Sequence, residues 1–243
     1  PINFEFNINE KGIANLTGDN GIEIVIRGVI DRVDIYESNG EKYIRVIDYK
    51  TGKKIFSMSS LLYGINLQML LYMFTITGSG GAYSDCNPAG VLYMPSGEIV
   101  CGRDRDESDN MEEYLNKHYK MNGVVLNDRA VLNAMEKDIQ GIYIPAKLLK
   151  GDTGDGELLL NKRSSSCLTS SQFKKLRQHT EKIIIDVCNE LYSGNIDADP
   201  LVISGGSPCD YCDYWSVCGN VPCEKYREAD KHAEEEMLKI ISD

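Results

Sequence analysis

The stretch Arg27-Gly28-Val29-Ile30-Asp31-Arg32-Val33-Asp34-Ile35-Tyr36-Glu37-Ser38-Asn39-Gly40-Glu41-Lys42-Tyr43-Ile44-Arg45-Val46-Ile47-Asp48-Tyr49-Lys50 decides how this chain is read. Apolar and polar residues alternate on both sides of Asn39-Gly40, a dipeptide suited to the two-residue type I′ turn of a β-hairpin. With those two residues at the turn the register is fixed. Glu37 then faces Lys42, Tyr36 faces Tyr43, Ile35 faces Ile44, Asp34 faces Arg45 and Val33 faces Val46, all favourable cross-strand pairs. Carried inward, the same register sets Asp31 against Asp48, with Cβ atoms about 4.5 to 5.5 Å apart on one face. Lys50, two residues beyond Asp48, shares that face by the period of a strand. Like charges placed opposite one another destabilise a sheet unless an ion lies between them. Two carboxylates suit a hard divalent cation such as Mg²⁺ or Mn²⁺, and a neighbouring ammonium can orient water and stabilise developing negative charge. The competing reading has Asp31 and Asp48 solvated at the hairpin's end, with Lys50 pairing with one of them.

Outward from the hairpin, Ile2 to Ile8 alternates as a strand, and the strand ending at the turn begins at Ile22. Ser57 to Ile76 is apolar and free of Pro, with Gly64 its weak point, so it predicts a helix ended by Gly78-Ser79-Gly80-Gly81. Ala89 to Met94 predicts a buried strand that turns at Pro95-Ser96-Gly97 into Glu98 to Gly102. Helices are expected at Asp106 to Met121 and Asp128 to Asp138, a strand at Gly141 to Lys147, and an exposed loop at Gly151 to Glu157. Thr169-Ser170-Ser171-Gln172 offers a capping box for a helix running to Tyr192 and stopping at Gly194. A charged helix is expected from about Glu224 to Ile241.

The 243 residues are 42% hydrophobic and 26% charged, enough apolar material for one sizeable core and incompatible with disorder. No apolar run approaches the ~20 residues of a membrane span, so no membrane association is expected, and cytoplasmic residence is. The balance of 26 Lys+Arg against 37 Asp+Glu gives a net charge of -11, the wrong sign for holding nucleic acid by phosphate neutralisation alone. Eight cysteines, three of them tightly bunched, point to metal ligation in a reducing compartment rather than to a disulfide scaffold. A chain opening on Pro1 rather than Met is expected to be a piece of a longer one.

Three blocks now carry a resemblance: Arg27 to Asp34, then Val46-Ile47-Asp48-Tyr49-Lys50-Thr51-Gly52, then Tyr63 to Tyr72 with Gln68 and Tyr72 at i, i+4. Together they resemble the RecB-type PD-(D/E)XK nuclease domain, and the third block is most similar to AddB-type helicase-nuclease subunits. The resemblance implies an α/β fold with a restriction-endonuclease-like core, a mixed β-sheet flanked by helices. It implies that Asp31 and Asp48 bind the metal, that Lys50 is catalytic, and that Gln68 and Tyr72 form the Q-x-x-x-Y helix motif, meeting DNA or bracing the lysine. The implied function is Mg²⁺-dependent cleavage of DNA during ATP-dependent processing of double-strand breaks, with an AddA-type helicase-nuclease subunit as partner. No G-x-x-x-x-G-K-[ST] motif occurs in this chain, so no ATP hydrolysis is expected of it. The family also places a metal-binding histidine upstream of these strands, whereas His118, His179 and His232 all lie downstream and are expected on helix surfaces. The isolated chain is therefore expected to be a weak nuclease.

Cys209-Asp210-Tyr211-Cys212 followed by Cys218 is a C-x2-C-x5-C loop that can bring three thiolates to one site. Cys223 offers a fourth ligand by proximity and would make a zinc site. The resemblance implies instead a [4Fe-4S] cluster on Cys209, Cys212 and Cys218, with the fourth cysteine upstream. Cys86, Cys101, Cys167 and Cys188 are expected to be ordinary half-buried residues. The expected organisation is residues 1–200 as the nuclease domain, 201–223 as the iron-sulfur segment and 224–243 as the charged helix. Competing functions are a stand-alone RecB-like iron-sulfur exonuclease, a non-catalytic DNA-binding module with a structural metal site, and a zinc-dependent interaction domain.

Overall fold

The computed structural model describes residues 1–8, 16–19, 21–52, 54–97, 111–150, 158–203, 205–218 and 225–242. The strand expected at 98–102, the start of the helix at 106, the loop at 151–157, and Cys101, Cys223 and Glu224 lie outside them. The hairpin forms as its sequence dictates. Strand β4 (Val29–Ser38) and strand β5 (Glu41–Lys50) flank Asn39 at φ 53° and Gly40 at φ 80°, the two positive values a type I′ turn requires. The antiparallel ladder runs unbroken from Ser38↔Glu41 to Arg32↔Ile47, in the expected register.

Around this pair the chain builds a six-stranded mixed sheet. Strands β1 (Asn3–Asn7), β2 (Leu16–Thr17) and β3 (Glu23–Ile24) precede the hairpin, and β2 pairs only with β3. After the hairpin come helices α1 (Met58–Leu62) and α2 (Gln68–Thr77), then strand β6 (Cys86–Pro95). Helix α3 (Met111–Tyr119), strand β7 (Asn122–Leu126), helix α4 (Arg129–Met135), strand β8 (Cys167–Leu168) and helix α5 (Ser170–Tyr192) follow. The sheet order is β1-β4-β5-β6-β7-β8; β6 runs parallel to β5, β8 parallel to β7, and the other pairs are antiparallel. A small parallel pair, β9 (Leu201–Val202) with β10 (Arg227–Glu228), and helix α6 (Ala233–Ser242) complete the described chain.

Strand periodicity sorts the core onto two faces. Val33, Ile44, Val46 and Val91 point toward Leu70 and Met73 of α2, Phe173 and Leu176 of α5, and Met237 and Ile241 of α6. Ile47, Leu92 and Val125 form the other face with Leu132 of α4 and with Ile139 and Ile144. Each fully buried side chain of this size contributes about 1.5 to 3 kcal/mol. Helix α5 carries its expected capping box between Thr169 and Gln172. The α6 helix starts at Ala233, later than expected, and its Met237 and Ile241 are buried in the main core.

Four local expectations are corrected. Ile22 to Tyr36 is two strands, β3 and β4, with a link between them that belongs to neither. The helix expected over Ser57 to Ile76 is broken into α1 and α2 by a turn in which Gly64 and Asn66 take φ of 76° and 63°. Gly141 to Lys147 is no strand, because the N–H groups of Ile142, Tyr143 and Ile144 donate to the buried carboxylate of Glu136 at 2.9, 2.8 and 3.1 Å rather than to a neighbouring strand. Strand β7 has no counterpart among the expected elements; its short apolar run Val124-Val125-Leu126 is buried on both faces and shows no alternation.

On the α4 side of the sheet, Asp34 is 7% exposed and is gripped by cations. Arg32 donates to both its oxygens at 2.7 and 2.9 Å, Arg45 donates to Oδ2 at 2.9 Å, and the Pro1 amino group lies 3.3 Å from Oδ1. Burial pushes the Asp34 carboxyl up, but the guanidinium hydrogen bonds outweigh it and hold the group below its usual range. A depressed folded-state pKa gives stability that is present above the unfolded pKa and lost as pH falls through the folded one. Asp34→Asn should therefore cost about 3 kcal/mol in urea unfolding at neutral pH, with the gap to the unaltered chain closing below about pH 4. A gap that persists undiminished into acid would contradict this assignment.

Candidate functional site

The ladder between β4 and β5 stops at Arg32↔Ile47, one residue short of Asp31 and Asp48. Beyond that point the Asp31 carboxylate takes over the strand's bonding: its Oδ2 accepts the Tyr49 backbone N–H at 2.8 Å. Asp31 is thus held against β5 at Tyr49, the residue after Asp48, although the two aspartates are not themselves a ladder pair. Asp48 itself is 6% exposed, and its neighbour across the parallel ladder to β6 is Tyr93. Burial, reinforced by the charge of Asp48, pushes the Tyr93 phenol up. Lys50 places its ammonium on Asp48 Oδ2 as an ion pair. That oxygen is nonetheless fully buried and accepts no hydrogen bond, an uncommon state for a carboxylate.

These groups fit a divalent cation. A buried carboxylate oxygen without a hydrogen bond and a second carboxylate anchored on the same strand suit Mg²⁺, which keeps several waters and meets a substrate phosphate, with the Lys50 ammonium beside it. Among the described residues no three His, Cys, Asp or Glu side chains converge on one point, so the protein's share of such a shell would be Asp31 and Asp48.

Gln68 and Tyr72 lie on one side of α2, and the Gln68 amide donates to the Tyr72 hydroxyl at 3.0 Å. Tyr72 is buried, and its ring fills the space over Gly28, where any Cβ would overlap the phenol. The glycine of the first sequence block and the tyrosine of the third are therefore one packing unit that seats α2 on the entry to β4. No hydrogen bond among the described residues joins either side chain to Lys50.

The histidines differ from one another. His232 is exposed. His179 is not on the surface as expected: it is half-buried, its Nε2 lies 3.3 Å from the Leu61 carbonyl, and burial pushes its pKa down. His118 is exposed but lines the same cavity as Lys50, about 350 Å³ in volume, together with Tyr114 and Lys117. The 114, 117, 118 spacing puts those three on one helical face, a signal the sequence held.

Cys209 sits in a short 3₁₀ turn at Pro208–Tyr211 capped by Ser207 and Asp210; Cys212 follows that turn and Cys218 follows another. The described residues do not bring the three thiols together as a ligand group. Cys86 and Cys167 are pushed up to about 11 and about 12 by burial, with Asp85 adding to the effect at Cys86, as befits inert packed thiols.

Known proteins resemble this chain. The profile of the PD-(D/E)XK nuclease superfamily matches residues 1–219. The B subunit of the ATP-dependent helicase/deoxyribonuclease of Clostridioides difficile is 31% identical over 99% of this chain and 22% of its own length. The proteins of the same name from Clostridium acetobutylicum and Clostridium botulinum strain Hall are 34% and 36% identical over 92% and 88% of the chain, each covering 19% of its own length. The chain thus spans about a fifth of the curated relatives it matches. A profile match over that span, on a mixed sheet whose central hairpin carries the paired aspartates and the lysine, means that the chain belongs to the PD-(D/E)XK nuclease superfamily.

Proposed function

We propose that this chain is the DNA-cleaving domain of an AddB-type helicase-nuclease subunit, hydrolysing phosphodiester bonds with Mg²⁺ while an AddA-type partner helps drive the strand during double-strand break processing. The single observation that carries the proposal is the buried Asp48 Oδ2, which faces Lys50 and lacks a hydrogen bond. The Lys50 ammonium compensates its charge, and the hydrogen-bonding capacity left over is what a cation would take up. The relatives' shared name supports the deoxyribonuclease reading.

Bound between Asp31 and Asp48, a cation would polarise a phosphoryl oxygen and neutralise the charge that develops on it. Asp31 keeps its place through the Tyr49 N–H, so one of its oxygens is fixed and the other is left for the ion. Lys50 stands where its N–H donors can orient the attacking water and the non-bridging oxygen. Gln68 and Tyr72 hold α2 against the strand that carries Asp31, which keeps the carboxylates in line. Cleavage is proposed to be exonucleolytic within the complex.

We assign Cys209, Cys212 and Cys218 to a [4Fe-4S] cluster in the full-length subunit, completed by a cysteine outside this chain, and divide the chain at 1–200, 201–223 and 224–243. The C-x2-C-x5-C spacing supports that assignment.

In the complete helicase-nuclease, Asp48→Ala and Lys50→Ala should each reduce this subunit's cleavage of end-labelled duplex at least about 100-fold, with unwinding retained. Unchanged cutting of both strands would overturn the site. Anaerobically purified full-length subunit should be brown, and Cys212→Ala should lose both colour and thermal stability, because cluster binding contributes directly to folding. A colourless subunit holding stoichiometric zinc would refute the cluster.

A further inference from the structure

The strand beside Asp48 carries a second polar group without a partner. Strand β6 contains Val91-Leu92-Tyr93-Met94, an apolar run whose one hydroxyl belongs to Tyr93. Parallel pairing sets Val46 of β5 against Val91 and Asp48 against Tyr93. Val46, Val91 and Tyr93 all belong to the core on the α2 side of the sheet. By the period of a strand, Asp48 and Tyr93 therefore share that face.

Two tyrosines are buried among the described residues, Tyr72 and Tyr93. A buried phenol ordinarily finds a hydrogen-bond partner, and Tyr72 has one in Gln68. Tyr93 does not: among the described residues no hydrogen bond reaches its hydroxyl, although the field of the Asp48 charge does. Unlike Asp48 Oδ2, the Tyr93 oxygen is not sealed from solvent. Burial first, and then the Asp48 charge, push the phenol up, so at neutral pH it is a donor and not a base. A ring kept only to fill the core has no use for that hydroxyl, because phenylalanine packs the same way without leaving a donor unpaired. The acceptor it lacks is an anionic oxygen. A phosphate brought to Asp31, Asp48 and Lys50 supplies one, and a hydrogen bond to an ionised acceptor is roughly twice as strong as one between neutral groups.

We propose that Tyr93 is a further catalytic residue of this site, its hydroxyl donating to a non-bridging oxygen of the phosphate that is cut. The proposal rests on the nuclease reading of Asp31, Asp48 and Lys50, and it adds a donor from a third strand. Lys50 reaches the site from the end of β5 and Tyr93 from β6, so the negative charge that develops on the phosphoryl oxygens meets donors fixed on two neighbouring strands.

Tyr93→Phe keeps the ring and removes the hydroxyl alone. In the complete helicase-nuclease it should lower kcat for this subunit's cleavage of end-labelled duplex about 100-fold, with unwinding retained and KM unchanged, the split expected of a bond that counts in the transition state. In this chain it should leave stability in urea undiminished, since the lost hydroxyl had no partner. A readout without cleavage comes from the chain labelled with 13Cζ-tyrosine, in which the resonance missing from Tyr93→Phe is that of Tyr93. In excess Mg²⁺, thymidine 5′-monophosphate should shift this resonance, and thymidine, which lacks the phosphate, should not.

Full cleavage by Tyr93→Phe would overturn the proposal. So would a resonance that the monophosphate leaves in place or that thymidine moves as far. A Tyr93→Phe chain that loses urea stability in step with cleavage would make the hydroxyl a support of the fold and overturn it as well. Asp48→Ala separates the proposal from the reading beneath it. If that variant abolishes cutting while Tyr93→Phe does not, the phenol alone fails; if Asp48→Ala cuts like the unaltered enzyme, the nuclease reading fails and the role of Tyr93 falls with it.

Discussion

One hydrogen bond from the backbone to a side chain, Tyr49 N–H to Asp31, anchors the candidate site. Where the β4–β5 ladder ends, the Asp31 carboxylate accepts the Tyr49 N–H in place of a strand carbonyl. The substitution does two things at once. It fixes Asp31 on the shared face of the hairpin, and it keeps β5 extended so that Asp48 stays beneath the sheet surface and Lys50 emerges at its edge. The turn at Asn39-Gly40 sets the register that makes this possible, and a slip of one residue would send Asp48 and Lys50 to the opposite face. Parallel pairing with β6 then sets Tyr93 beside Asp48, which is 6% exposed. The packing of Tyr72 over Gly28 holds the start of β4 from the other direction.

The hairpin was legible because its information is local. A type I′ turn, a period of two and cross-strand charge pairing all act within a few residues, so Asp34 with Arg45 and Asp31 beside Asp48 followed from counting. The capping box of α5 was legible for the same reason. Elements defined by distant partners were not. Strand β7 is a short apolar run made a strand by pairing with β6 and β8, and Gly141 to Lys147 is held out of the sheet by a single buried carboxylate, Glu136. His118 stands next to Lys50 because a helix after β6 returns to the end of β5, a tertiary fact that no local pattern encodes.

Charge shows the same division between sum and placement. A net charge of -11 argues against general affinity for a polyanion, and that argument concerns the molecule as a whole. Screening confines a surface charge's reach to about 8 to 10 Å at ordinary ionic strength. Lys50 has Asp48 as its ion-pair partner and shares a cavity with Lys117 and His118, while acidic side chains such as Glu234, Glu235 and Glu236 sit at the start of α6.

The central claim is that the unsatisfied Asp48 oxygen exists for a metal and is not simply half of a structural ion pair with Lys50. The melting temperature of the chain, with excess Mg²⁺ and with EDTA, for the unaltered protein and for Asp48→Asn, measures this most directly. A ligand that binds only the folded state raises Tm, so Mg²⁺ should raise it in the unaltered chain and leave Asp48→Asn unmoved. In EDTA the Asn variant also loses the ion pair with Lys50, so the reading is taken from the shift that Mg²⁺ causes in each protein and not from the two baselines. A chain that ignores Mg²⁺, or an Asn variant whose Tm Mg²⁺ raises as much as that of the unaltered chain, would mean that Asp48 and Lys50 serve the fold alone.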